Sequence, residues 1–287
     1  ELPKQVSLVK QLLHPGSFAK VDLSGLTAND ELAIGFNMRP SRPIGTQTIF
    51  SLKGENNHLD VVLEAGLLQI RMPTCGLDIH SQALTPHRWY RIDIQINLTS
   101  GRIQSRVSAH KSRSPARDLL EPIDGSTCSH THPLHRMGSL NSCLFAASPN
   151  GEHFDGRIAR PHLTVDGVDI TWDLAQEIDG RRIIDVSGNN RHGHLHQLPA
   201  RGVTGPDWDD TCQSWQLNPN HYDAIHFHAD DLFDAAWNTT ASLRLTEDLP
   251  SGIYAFRLRS QQGEDRIPFF VRPAAGYATA KTALLMS

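Results

Sequence analysis

Residues 90–98, Tyr-Arg-Ile-Asp-Ile-Gln-Ile-Asn-Leu, alternate strictly: Ile92, Ile94, Ile96 and Leu98 fall on one side of an extended chain, and Asp93, Gln95 and Asn97 on the other. Successive side chains of a strand point to opposite faces, so this run predicts a strand with one buried and one wet face. Leu68, Ile70 and Met72 repeat the pattern against Gln69 and Arg71. The turn Thr99-Ser100-Gly101 then feeds a further run, Ile103-Gln104-Ser105-Arg106-Val107. Short strands at such spacing, joined by Gly, Asn and Pro turns, predict a mainly β chain built as an antiparallel sandwich or jelly roll. Helical signal is confined to the first dozen residues and to Asp230–Trp237.

The composition fits that class. The 287 residues are 39% hydrophobic and 20% charged, and their mean hydropathy is −0.36, which excludes a mostly disordered polymer. No apolar run approaches the roughly 18 residues that span a membrane. A net charge of −4 leaves no basic face for nucleic acid or anionic lipid, so neither is an expected partner. The four cysteines, Cys75, Cys128, Cys143 and Cys212, include no CxxC pair and make no disulfide framework, which predicts a reduced, cytoplasmic compartment. The chain opens with ELPKQVSL instead of methionine, and its end, ATAKTALLMS, reads as an apolar strand just beginning. The expectation is an incomplete chain.

From His110 to Ser142 the alternation stops in favour of a polar stretch rich in Ser, Pro and His. Loops longer than roughly 12–15 residues are usually functional or interfacial. Strand signals return at Cys143-Leu144-Phe145-Ala146 and in FDGRIARPHLTV (154–165). A domain boundary is expected between Val165 and Val168, giving a jelly roll over 1–165 and a smaller β-sandwich over 166–275. In the latter, Tyr254, Phe256 and Leu258 alternate with Ala255 and Arg257, while Ile267, Phe269 and Val271 form another face after the turn QQGEDR. Residues 276–287 are then a linker and the stub of a further domain.

The segments Gly45–Gly54 (GTQTIFSLKG), LDVVLEAGLLQIRM, His87-Arg88-Trp89-Tyr90 and Phe154-Asp155-Gly156-Arg157-Ile158, in that order, resemble a laminin-G or concanavalin-like jelly roll. The succession TWDLAQEIDGRRIIDVSGNNRHGHLHQLPARGVTGPDW, HYDAIHFHADDLFDAAW, LPSGIYAFRLR and IPFFVRP resembles the large (beta) subunit of N,N-dimethylformamidase. The resemblance implies a jelly roll and small β-sandwich that precede an α/β catalytic domain related to glutamine amidotransferases. It also implies that the family's iron, held by tyrosine and glutamate, belongs to that later domain. No residue here matches the iron-ligand segment, so no catalytic residue and no cofactor is assigned to this chain. By the same resemblance the chain is expected to be a non-catalytic N-terminal portion of an amide hydrolase, serving assembly and active-site shaping. Its implied partners are the remaining catalytic domain or chain, a small subunit, and further copies in a homo- or hetero-oligomer.

Several constellations carry ligand-type side chains. In HFHADDLFD, His226 and His228 share one strand face, and Asp230 and Asp231 follow, a set that a divalent metal could accept. The competing reading is a hydrogen-bonded turn, or a short helix capped by Asp230 or Asp231. Cys128, His130, His132 and His135 form a compact tract unlike the paired ligands of structural zinc sites. His192, His194 and His196 alternate near Asp185, and exposure is the simpler fate for them. Asn56, Asn57, Asp60 and Asp155 are the only calcium candidates, without a dense acidic loop. No G-x-S-x-G elbow occurs, and Glu264-Asp265 sits in a hydrophilic turn. Two further function classes stay open: an independent lectin-like carbohydrate-binding module, and a free-standing metal-dependent hydrolase using HFHADD.

Overall fold

The computed structural model describes residues 16–42, 44–55, 57–110, 125–229, 238, 242–274 and 276–282. In chain order the strands are β1 (Phe18–Asp22), β2 (Thr27–Ala28), β3 (Glu31–Pro40), β4 (Thr46–Gly54), β5 (His58–Glu64), β6 (Leu67–Met72) and β7 (Leu77–Ala83). Next come β8 (Tyr90–Asn97), β9 (Arg102–Ala109), β10 (Ser126–Thr131), β11 (Gly138–Phe145), β12 (Gly156–Val165) and β13 (Val168–Asp173). The last are β14 (Arg182–Asp185), β15 (Gly193–His196), β16 (Ala200–Val203), β17 (Ala224–Phe227), β18 (Gly252–Arg259) and β19 (Glu264–Val271). The described residues divide into a large compact unit that ends before Leu232 and a small one within 238–282.

In the large unit one sheet runs β14-β15-β1-β11-β4-β5-β6-β7. The other runs β10-β9-β8-β3-β12, with β13 and β17 sharing the far side of β12 and β16 beyond β17. Every pairing is antiparallel, the jelly-roll sandwich that the alternation predicts. The buried face of residues 90–98 supplies Tyr90, Ile92, Ile94, Ile96 and Leu98 to one continuous core, where they join Phe36 from β3 and Phe50, Val61 and Phe145 from the opposite sheet. Phe145 packs edge-on to Trp172 with ring centroids 5.3 Å apart. The buried Trp172 indole donates to the Arg191 carbonyl at 2.7 Å, so its N–H is not stranded in the core.

The boundary expected at Val165–Val168 is a hairpin turn. Val165 pairs with Val168 across Asp166 and Gly167, whose φ angles of 44° and 84° match the left-handed two-residue turns that suit twisted strands. Strands β13–β17, expected in a second domain, complete the first. Ile170, Trp172, Ile183, Leu195, Ile225 and Phe227 all enter the same core. The physical reason is length: β14, β15 and β17 have four residues each and show too little alternation to reveal which sheet they extend. Among the described residues, the small unit holds one hairpin, β18–β19. The polar stretch 110–142 is likewise not one loop. It contains β10, paired to β9, and the first part of β11, which lies between β1 and β4. Residues 111–124 and both expected helical segments lie outside the described residues.

Asp166 fastens the β12–β13 turn to the start of β3. Its carboxylate accepts from the backbone N–H groups of Asn29, Asp30 and Glu31 at 2.8, 3.0 and 2.7 Å. Burial opposes the charge, but the three donors outweigh it and hold this carboxyl below its ordinary value of 3.8. A depressed carboxyl contributes stability that is fully present above the unfolded value and is lost as pH falls through the folded one. Asp166→Asn should therefore cost about 1 kcal/mol at pH 7. The gap from the parent should close in acid, once the parent carboxyl is itself protonated. Urea unfolding of both proteins at pH 7 and again in acid checks this.

Candidate interaction site

The register of β12 against β3 shifts between Ala159 and His162, and Arg160 there takes a φ of 50°. Such a bulge re-aims a side chain that a regular strand would hold in its row. The Arg160 guanidinium reaches Asp207 at 2.7 Å and Asp223 at 2.5 Å, and His110 closes on the other oxygen of Asp207 at 3.1 Å. Burial pushes the Asp223 carboxyl up while Arg160 pulls against it. Burial also opposes the Arg160 charge, but Asp223 and Asp207 prevail and keep its pKa above the usual arginine value. Glycine at 205 makes room: a Cβ there would collide with Asp223 Oδ1. The segment after β16 is thereby clamped to β12.

Beside this clamp, Trp89 lies buried on Ala159, Ala224 and Val203, apart from the main core. The two alanines leave the space that its ring fills. Arg39, Arg157, His226 and Ala200 form the adjoining row across β3, β12, β17 and β16. Arg157 donates to the Thr204 carbonyl at 2.9 Å and to its hydroxyl at 2.6 Å. His226 Nε2 is 4.0 Å from Asp155 Oδ1. Burial, reinforced by Arg157 and offset by Asp155, biases the His226 ring toward its neutral form. His228 donates from Nε2 to the Gln197 carbonyl at 3.0 Å, and its backbone N–H donates to the Ser17 hydroxyl at 3.1 Å. The side chains of His226 and His228 thus meet different partners. Asp230 and Asp231, the other half of the metal reading, lie outside the described residues.

Among the described residues, no three or more His, Cys, Asp or Glu side chains are placed to hold a metal. Three of the four tyrosines, a ligand type that the resemblance implies for iron, have hydroxyls engaged with backbone groups. The Tyr90 hydroxyl accepts from the Thr85 N–H, and the Tyr222 and Tyr254 hydroxyls donate to the carbonyls of Cys212 and Pro250. Elsewhere, Cys128 and His130 lie on β10, and His132 donates to the Cys75 carbonyl at 2.8 Å. His192 accepts from the Asp185 N–H at 3.0 Å, and His196 stacks on Phe18 at 4.6 Å. Of the calcium candidates, Asn57 donates to the Arg136 carbonyl and Asp60 pairs with His58 at 3.4 Å, while Asn56 lies outside the described residues. All four cysteines are free, and burial pushes the Cys143 thiol far up. Glu264 is tied to Arg257, Arg259 and Arg266 on the surface. The Arg160, Asp207, Asp223 and His110 group has one sequence signal, Pro161. A proline inside a strand run marks a bulge or an edge.

Residues 200–287 match the family described as N,N-dimethylformamidase beta subunit-like, C-terminal. A stretch of 121 residues is 40% identical to the N,N-dimethylformamidase beta subunit of Paracoccus aminophilus, covering 40% of this chain and 16% of that protein. Over 105 residues the identity to the corresponding subunit of Alcaligenes sp is 39%, covering 37% and 14%. The matched stretch is thus under a fifth of each curated relative. Among solved structures, the LG1-3 region of the laminin alpha2 chain aligns at a TM-score of 0.40 and 15% identity, over 54% of this chain and 31% of that one. The heptameric SAP-like pentraxin of Limulus polyphemus aligns at 0.35 and 12%, over 54% and 77%. Likeness at this level concerns the fold alone. The family match begins at β16, so it includes the clamped segment.

Arg160→Met leaves two carboxylates without their cation and should cost roughly 3 kcal/mol at pH 7. Asp223 can then shed its charge by taking up a proton. The deficit should accordingly shrink on mild acidification, and adding Asp223→Asn should recover part of it. Thermal melts of the single and double variants across pH read both effects.

Proposed function

We propose that the chain, whose residues 200–287 match the N,N-dimethylformamidase beta subunit-like family, belongs to that family and serves as a non-catalytic β portion of an amide hydrolase. Its work in this reading is to assemble with the α/β catalytic portion and to shape the access to the amide-cleaving site. C–N hydrolysis, and the iron that the family resemblance implies, belong to that other portion. A small subunit and an oligomeric, cytoplasmic enzyme complete the reading. The four free cysteines suit a reducing compartment. Among the described residues, no helix is long and apolar enough to cross a membrane.

The observation that carries the proposal is the β18–β19 hairpin. Tyr254 and Phe256 stand directly opposite Phe269 and Ile267 on one face, with Leu258 opposite Asp265 at the turn end of the same face. Phe269 stacks on Tyr254 at 5.8 Å and packs on Phe256 at 5.0 Å. Phe256, Leu258 and Ile267 are nevertheless 37%, 48% and 52% exposed. The opposite face carries Arg257, Arg259, Arg266 and Glu264 in ion pairs near the turn and the exposed Ile253–Phe270 pair at the far end. A two-stranded hairpin is marginal alone, and an amphipathic sheet must bury its apolar face against a second layer. The small unit supplies no such layer among its described residues. A protein partner would supply it and would gain roughly 25 cal/mol for each Å² of apolar surface covered.

The test is a Phe256→Ser, Leu258→Ser double variant, mixed or co-expressed with the catalytic portion of a dimethylformamidase-type subunit. Melting of the large unit should be unchanged, while co-purification and amide hydrolysis fall about tenfold or more. Parent-level assembly and activity in the double variant would refute the proposal.

A further inference from the structure

A cleft of about 410 Å³ lies on the outer face of the β3–β8–β9 sheet, far in sequence from the family match. We propose that it binds a neutral, polyhydroxylated small molecule of mono- to disaccharide size, through the paired amides of Gln95 and Gln104 against the floor formed by Ala33. The cleft arises from the register. Thr164, Ala33, Gln95 and Gln104 stand in one row across β12, β3, β8 and β9. Glu31, Asn97 and Arg102 form the next row on the same face. Intervening residues such as Leu32 and Ile96 point into the core. Ala33 is shorter than Glu31, Gln95, Arg102 and Gln104 around it, so the rows rise beside it.

The chemistry of the lining selects the ligand class. Glu31 and Arg102 offset each other, which leaves no net charge to attract an ion. Each primary amide offers two donors and one acceptor oxygen, the mixed pattern that vicinal hydroxyls both satisfy and require. Part of the wall is already fixed: Asn97 Oδ1 accepts from the Ser100 N–H and hydroxyl, each at 2.7 Å, and Thr164 donates to Asp169 at 2.6 Å. The Gln95 and Gln104 amides and the Arg102 guanidinium make no side-chain hydrogen bond among the described residues, so they are available to a ligand. The volume falls in the roughly 300–1,000 Å³ range of small-molecule sites. No aromatic ring lines the cleft, so binding rests on hydrogen bonds and its dissociation constant is of millimolar order.

Calorimetry and saturation-transfer NMR on the 287-residue chain test this, with glucose, galactose, maltose, cellobiose and inositol as probes and glucuronate as the charged control. The expected result is saturable binding of at least one neutral probe, weakened about tenfold or more in Gln95→Ala/Gln104→Ala and abolished in Ala33→Phe. Inositol among the ligands would assign the site to polyols in general, and sugars alone would assign it to saccharides. Melting curves verify folding, and if Ala33→Phe fails to fold, the surface pair Gln95 and Gln104 decides the matter. No saturable binding of any neutral probe up to about 50 mM, preference for glucuronate, or parent-like binding in the glutamine pair would overturn the proposal. The site does not rest on the assembly role of the hairpin, and either can fail alone.

Discussion

One strand holds this molecule together, and it does so by being irregular. β12 pairs with β3 along nearly its whole length, but its other edge is shared: the first half receives β17 and the second half β13. A regular strand would continue one partner. The bulge at Arg160 lets the ladder change partners without leaving the sheet, at the expense of a non-glycine residue in the left-handed region. The same irregularity turns the guanidinium onto Asp207 and Asp223. Backbone strain and a partly buried ion group thus occupy one place. Without this junction β13 and β17 would lose the edge they share.

The consequence reaches function through the family match. The stretch that matches the dimethylformamidase beta subunit-like family model begins in β16 and runs through the clamped segment before reaching the β18–β19 hairpin. The first part of the match is therefore structural tissue of the jelly roll, and the second is a hairpin in a separate compact unit. In the hairpin, Phe256 and Phe270 lie exposed. The outer face of the second sheet has a different character, with a clamp at one end and a polar cleft further along β3.

Much of the architecture is legible in the sequence because period-two alternation reports which face is wet. Tyr90–Leu98 and Leu68–Met72 read correctly for that reason, and every alternate apolar side chain there is buried. Partnership, by contrast, does not follow from proximity in sequence. The turn at Asp166–Gly167 has the look of a seam between domains, yet its carboxylate ties residues 29–31 to it. The four-residue strands after it carry too little pattern to announce that they return to the first core. The spacing of the histidines does not reveal their partners either. Regular spacing suggests shared ligands, whereas His132, His192 and His228 are each spent on a different backbone group. The clamp itself draws on residues 110, 160, 207 and 223, a separation at which only the fold can bring them together.

The central claim is that the chain through β17 is one cooperative jelly roll, with the start of the family-matched segment built into it. Native-state hydrogen exchange on the intact 287-residue chain, read strand by strand, tests that most directly. The account predicts that the core amides of β12, β13 and β17 exchange only by the same global opening as those of β3, β4 and β8, with one common free energy. Protection of β13–β17 that is lost in a separate, lower-energy opening, while β3–β12 remain closed, would contradict it and restore a domain boundary near residue 166.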